Sequence, residues 1–225
     1  MKEAKRYNGM QSFGIGVLLL GATAVLSLLR SSMFLMTIFC AVAAVGEFLM
    51  ATGALGAKKY AKAFGTGGVL LMLAAICRTV GPLLHVSGKS GVSESMVTIA
   101  ALIAVMAAVL DAFGVWEVMR GCIRVSKERR LNRGTAALAL VLYPVTMLLG
   151  QLVPVLIAIR NAGDHMAVLS GVTLAAILCF LMSFLAAVAS QAAFRKIDVD
   201  YEQEPGTRRH VERPVGRRSG KPLKQ

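Results

Sequence analysis

The sequence predicts an all-α polytopic membrane protein whose six transmembrane helices form three pseudo-repeated hairpins. Three observations predict it. Of the 225 residues, 56% are hydrophobic and only 16% charged, with a mean hydropathy of +0.66. A soluble domain of this length needs more polar surface, so the apolar excess must face lipid. Six apolar runs approach the roughly 20 residues with which a helix crosses a hydrocarbon core about 30 Å thick. Lysine and arginine, which give a formal net charge of +13, gather in alternate inter-run segments. The runs lack the two-residue alternation of a barrel, and backbone groups in lipid must be satisfied within the segment, so the runs are expected to be helices.

The elements follow in order. Residues 1–12 form an arm with Lys2, Lys5 and Arg6, and the first span is 13–29. Basic residues before an apolar run with the small-residue stretch GATA suggest a signal peptide, but the run continues to Leu29 and meets Arg30 at once, so no cleavage is expected. A short RSSM link leads to the second span, 33–57, which ends in Lys58, Lys59 and Lys62. The third span, 64–86, and the fourth, 96–118, are joined by VSGKSGVSES; six basic residues follow in 120–133. The fifth span, 135–159, and the sixth, 166–193, flank RNAGDH. The membrane domain is thus 13–195. Apart from Arg30, Arg78, Lys89 and Arg160, every Lys and Arg lies in the arm, after an even-numbered span or in the tail, which puts both termini in the cytoplasm of a cell membrane protein. The odd spans begin alike, with FGIGVLLL at Phe13, FGTGGVLL at Phe64 and RGTAALAL at Arg133, as a threefold hairpin repeat would.

The tail, 196–225, is polar and rich in Pro, Gly and charge, and it cannot bury enough apolar surface to fold alone. Asp198, Asp200, Glu202 and Glu204 give way to Arg208, Arg209, Arg213, Arg217, Arg218, Lys221 and Lys224. Its expected partner is the anionic headgroup layer, with RNA or an acidic protein as second target and a solvated topology anchor as the plain alternative; no DNA partner is expected. A second copy of the chain or another membrane protein is the remaining partner class.

Signatures of soluble enzymes are missing. The glycines Gly14, Gly16, Gly21, Gly65, Gly67 and Gly68 lack the preceding strand and βαβ setting of a dinucleotide site. Small residues such as Gly53, Gly56 and Ala57 instead suit close helix packing in lipid. There is no G-x-S-x-G or H-E-x-x-H, and His85, His165 and His210 stand apart from one another and from other ligand types. Cys40, Cys77, Cys122 and Cys179 are scattered singly and read as small buried hydrophobes. No metal, cofactor or catalytic residue is expected.

The carboxylates in apolar surroundings are Glu47, Asp111 and Glu117, and the cation is Arg78. A charge at the centre of a membrane helix costs at least about 2.5–3.5 kcal/mol, so it needs a partner or a cavity. At about 1.5 Å per residue, Arg78 lies roughly 21 Å from the cytoplasmic side, Glu47 about 15 Å and Asp111 about 10 Å. Depth and the short link between the second and third spans favour an Arg78–Glu47 ion pair. Snorkelling of Arg78 toward the outer headgroups and contact with a substrate or ion are the alternatives, and Asp111 and Glu117 could instead reach the inner surface or Arg120.

Gly81 and Pro82 follow Arg78 by one turn, and Gly150, Gln151 and Pro154 occupy a matching place in the fifth span, below which Pro144 also interrupts the sequence. Such interruptions at matching places in two repeats point to a cavity lined by Pro82, His85, Tyr143, Gln151 and Pro154, or to bends that only improve packing.

FGTGGVLLMLAAICRTVGPLL, a turn, and AVLDAFGVWEVMRGCIRVSKERR with its Gly114, Trp116 and Gly121 element resemble the hairpins of HdeD-type small bacterial membrane proteins. The resemblance covers the six-span region and implies a non-catalytic membrane protein associated with acid-stress resistance, with no catalytic residues to carry over. The chain departs from it in its basic tail and at Ser31 and Ser32, where a proline is usual. The expected function is that of a non-catalytic integral membrane protein. A small-solute transporter using Arg78, His85 and Gln151 and a membrane enzyme using Glu47 with Asp111 are the other classes.

Overall fold

The computed structural model describes residues 9–26, 33–87, 94–128, 131–160 and 165–194. Among these residues there is no strand, and the helices are α1 (Gly9–Leu26), α2 (Met33–Gly56), α3 (Lys62–Ser87), α4 (Glu94–Glu128), α5 (Gly134–Arg160) and α6 (His165–Phe194). Four segments, Thr37–Lys59, Lys62–Val80, Leu102–Glu128 and Gly171–Phe194, are long and apolar enough to cross a membrane. Met10–Leu26 and Gly134–Leu149 are shorter apolar helical segments. The expected arm contributes Gly9–Ser12 to α1, and the tail lies outside the described residues.

The largest difference from the expected boundaries is at the end of the fourth span. The basic stretch after the fourth span is not a loop: α4 runs on through Arg120, Arg124 and Lys127 to Glu128. Arg120 Nη1 lies 2.6 Å from Glu117 Oε1 and Arg124 Nε lies 3.6 Å from Glu128 Oε1, pairs spaced three and four residues apart on one helix. Such pairs each add a few tenths of a kcal/mol. The opposite face keeps Cys122, Val125 and Ser126 buried, so the extension is packed. Hydrogen bonding to Arg120 also settles where Glu117 goes.

The buried interior is rich in alanine, although Phe13, Met50, Phe64, Leu71 and Met119 are buried too, and many large apolar side chains face outward. Ala51, Ala54, Ala74, Ala107, Ala112, Ala139 and Ala186 are buried, whereas Val45, Phe48, Leu73, Leu102, Phe113, Leu138, Leu174 and Phe184 are exposed. A water-soluble bundle would bury its large apolar residues. In lipid there is no such drive, and helices associate where small residues let backbones approach. Two buried hydroxyls turn back onto their own helix, Thr23 donating to Leu20 O at 2.7 Å and Ser190 to Ala187 O at 2.8 Å, whereas the buried Ser183 Oγ has no hydrogen-bond partner among the described residues. Turning back keeps the first two satisfied without water.

Each helix packs on the next in sequence and α6 returns to α1, so the helices form a closed ring of neighbours, with α4 also touching α6. Glycines set the closest crossings. A Cβ on Gly16 would collide with Gly46 O of α2, and one on Gly67 would lie 2.7 Å from Gly114 O of α4. Gly53 and Ala57 are buried as well, but Gly56, expected at a packing face, is exposed. Near the basic helix ends, Phe194 stacks edge-on against Tyr60 and Phe64 at centroid distances of 5.3 and 5.5 Å. The Phe64 ring lies over Gly121, where a Cβ would stand 2.7 Å from Cζ. Gly114 and Gly121 thus serve α3 packing, while Trp116 between them is exposed.

Candidate functional site: a buried ionic cluster

Four helices deliver one polar side chain each to the interior: Glu47 from α2, Arg78 from α3, Asp111 from α4 and Tyr143 from α5. Helix register brings them together. Leu55 of α2 lies opposite Gly68 of α3, whose added Cβ would stand 3.1 Å from Leu55 N. From that crossing, Glu47 is eight residues along α2 and Arg78 ten residues along α3, a level difference of only about 3 Å at 1.5 Å per residue. Side chains tilt toward the N-terminus of their own helix, and α2 and α3 run in opposite directions, so the two side chains lean toward each other. Arg78 Nε donates to Glu47 Oε1.

Asp111 sits deeper. It lies three residues from Gly114, which crosses α3 at Gly67, whereas Arg78 is eleven residues beyond Gly67. The offset is about 12 Å. Asp111 therefore takes its hydrogen bond from another helix: Tyr143 Oη donates to Asp111 Oδ2 at 3.1 Å. The charge of Arg78 still acts on Asp111 as well as on Glu47. Glu47, Asp111 and Tyr143 are completely buried, and the Arg78 side chain keeps 16% of its surface.

Two oxygens of this cluster have no hydrogen-bond partner among the described residues: Glu47 Oε2 and Asp111 Oδ1. With both carboxylates ionised the cluster carries two negative charges against one positive. Buried charges need both a counter-charge and hydrogen bonds to recover their hydration, and the second acid here has only a neutral phenol.

Of the other residues that the sequence singles out, Pro82 lies within α3 and Gln151 and Pro154 lie within α5, helices that continue through these positions. The side chains of Pro82, His85, Gln151 and Pro154 lie outside the described residues. Pro144 is buried in α5. A cleft of about 180 Å³ between α5 and α6 is lined by Thr146, Leu149, Gly171, Leu174, Ala175 and Leu178, and contains no member of the ionic cluster. Tyr143 is thus placed as an interior donor. No group of three or more His, Cys, Asp or Glu that could hold a metal occurs among the described residues. Cys122 and Cys179 are buried, with Cys179 Sγ donating to Thr146 O at 3.3 Å; Cys40 and Cys77 are only half-buried, contrary to their reading as core residues.

Sequence reasoning placed Arg78 beside Glu47 but did not connect Asp111 with Tyr143. A signal was available in the 32-residue separation of that pair, nearly the 31 residues separating Arg78 from Glu47. Both span an even helix and the odd helix after it.

These features define an all-helical protein with helices suited to a membrane and an ionic cluster in its interior. Comparison with protein-family models, with curated proteins and with solved structures found no match.

Proposed function

We propose that the chain is a non-catalytic integral membrane protein with six spans in three hairpins, both termini cytoplasmic, whose bundle is held together by the Glu47–Arg78 pair. The observation that carries this reading is the direct bonding of Arg78 to a fully buried acid on the neighbouring helix. The cleft described between α5 and α6 does not include Arg78. The resemblance to HdeD-type proteins adds a role in membrane stress, which rests on architecture and not on a site.

Topology is tested on a background lacking the native cysteines. A cysteine replacing Ser90 is labelled by an impermeant maleimide added outside cells, and one replacing the exposed Lys127 is labelled only after lysis. The opposite pattern overturns the orientation.

The tail extends this reading to a lipid partner. Between Arg208 and Lys224 it has seven basic residues and one acid, Glu212. Each basic residue near an anionic surface contributes about 1 kcal/mol, over a Debye length of about 8 Å at physiological salt. A fluorophore at Gly220 is expected to report proximity to nanodiscs containing phosphatidylglycerol, and high salt is expected to abolish the signal. An equal signal in neutral nanodiscs overturns the lipid assignment.

A further inference from the structure

We propose that the Glu47–Arg78–Asp111–Tyr143 cluster binds one exchangeable proton, carried on Asp111. The proposal rests on the reading of the bundle as membrane-embedded and goes beyond the locking role given to the ion pair.

The cluster lacks one positive charge. Glu47 is bonded directly to Arg78 and keeps one unpartnered oxygen, Oε2; Asp111 lies within the field of Arg78 but accepts a hydrogen bond only from the Tyr143 hydroxyl, and its Oδ1 has no partner among the described residues. The surrounding elements supply no second cation from their described faces. α1 has no charged residue, α2 contributes Glu47, α3 Arg78, α4 Asp111 and α5 Tyr143, and α6 brings the thiol of Cys179 within electrostatic reach of Asp111. A metal ion needs a shell of several ligands, which the described residues do not assemble, and the neighbouring guanidinium repels it. A proton needs one lone pair. On uptake, a carboxylate oxygen of Asp111 forms an O–H bond with a proton delivered by hydronium, which leaves as water, and the cluster passes from one net negative charge to neutrality. In this proposal the Glu47–Arg78 pair stays ionic, because Arg78 Nε donates directly to Glu47 Oε1 and not to Asp111. The Arg78 side chain keeps 16% of its surface, against none for Glu47 or Asp111.

The test is infrared difference spectroscopy of the full chain in lipid nanodiscs, comparing alkaline with mildly acidic buffer. The expected result is one carbonyl band of a protonated carboxylic acid that appears on acidification, shifts in deuterium oxide, is lost in Asp111→Asn and is unchanged in Glu117→Gln. Asp111→Glu, which keeps the carboxyl group, moves the band without removing it. Should Asp111→Asn fail to fold, the wild-type acid dependence and the displacement in Asp111→Glu still decide the matter. No band in the wild type, a band present at both pH values, or a band unaltered by both Asp111 variants overturns the proposal; suppression by sodium at constant pH makes the site a cation site and overturns it too. Failure of the chain to enter nanodiscs overturns the membrane reading as well, whereas entry without the band leaves that reading intact and removes the proton site alone.

Discussion

Arg78→Leu is expected to destabilise the bundle by about 3–5 kcal/mol, the range found when one member of a buried ion pair is removed and its partner stays buried. Glu47 would then have a completely enclosed carboxylate with neither a counter-charge nor the donor that now bonds its Oε1. At about 2–4 °C per kcal/mol for a chain of this size, the melting temperature in detergent falls by on the order of 10 °C. Adding Glu47→Gln to the same chain is expected to return most of the loss, because it removes the charge that Arg78 had balanced. The two positions couple through direct contact, so their effects are not additive. Any deficit left in the double variant includes the action of Arg78 on Asp111, the second acid within its field, together with the packing and hydrogen bonds that the two changes remove. Melting curves of the two single variants and the double variant decide the issue. Additive damage would show that Arg78 stabilises the fold by some route other than Glu47.

Gly16→Val is expected to cost about 1–3 kcal/mol or more, as overpacking does in a well-packed interior. The added Cβ collides with Gly46 O and lies 2.8 Å from Met50 N, and both atoms belong to the α2 backbone. A flexible side chain could swing aside, but a helix backbone can yield only by moving the helix. Separating α1 from α2 also forfeits the close contact that replaces hydrophobic drive in lipid. Gly171→Ala is the control. A Cβ there meets nothing within 4 Å, so the change is expected to raise stability slightly through the helix preference of Ala over Gly, about 1 kcal/mol at most. Equal effects at the two positions in a chemical denaturation series would remove close backbone approach as the cause.

Much of this fold is legible one segment at a time. A run such as LAAILCFLM, within Gly171–Phe194, has almost no polar surface to offer water, and its backbone must close its own hydrogen bonds, so length and apolarity suffice to predict a helix. The Glu47–Arg78 contact was within reach for a similar reason. The helices adjoin in sequence, and depth along each is a matter of counting residues.

Rotation about each helix axis was not available in this way. A membrane helix is apolar on its lipid face and on its core face, so no polar stripe marks which side looks inward. The sequence therefore could not show that Gly16 meets Gly46 while Gly56 faces outward, nor that Tyr143 turns toward Asp111. Tertiary packing decides these points, because it admits only the rotation in which small residues let backbones touch and each buried acid finds a donor. The continuation of α4 to Glu128 was hidden differently. Arg120, Arg124 and Lys127 look like a solvated loop until the burial of Cys122, Val125 and Ser126 shows that the same turns also have a packed face. By itself, then, the sequence determined which segments are helices and how far along each its charges lie; the structure alone decided which way each helix faces, because a chain apolar on all sides carries position in its order and orientation only in its contacts.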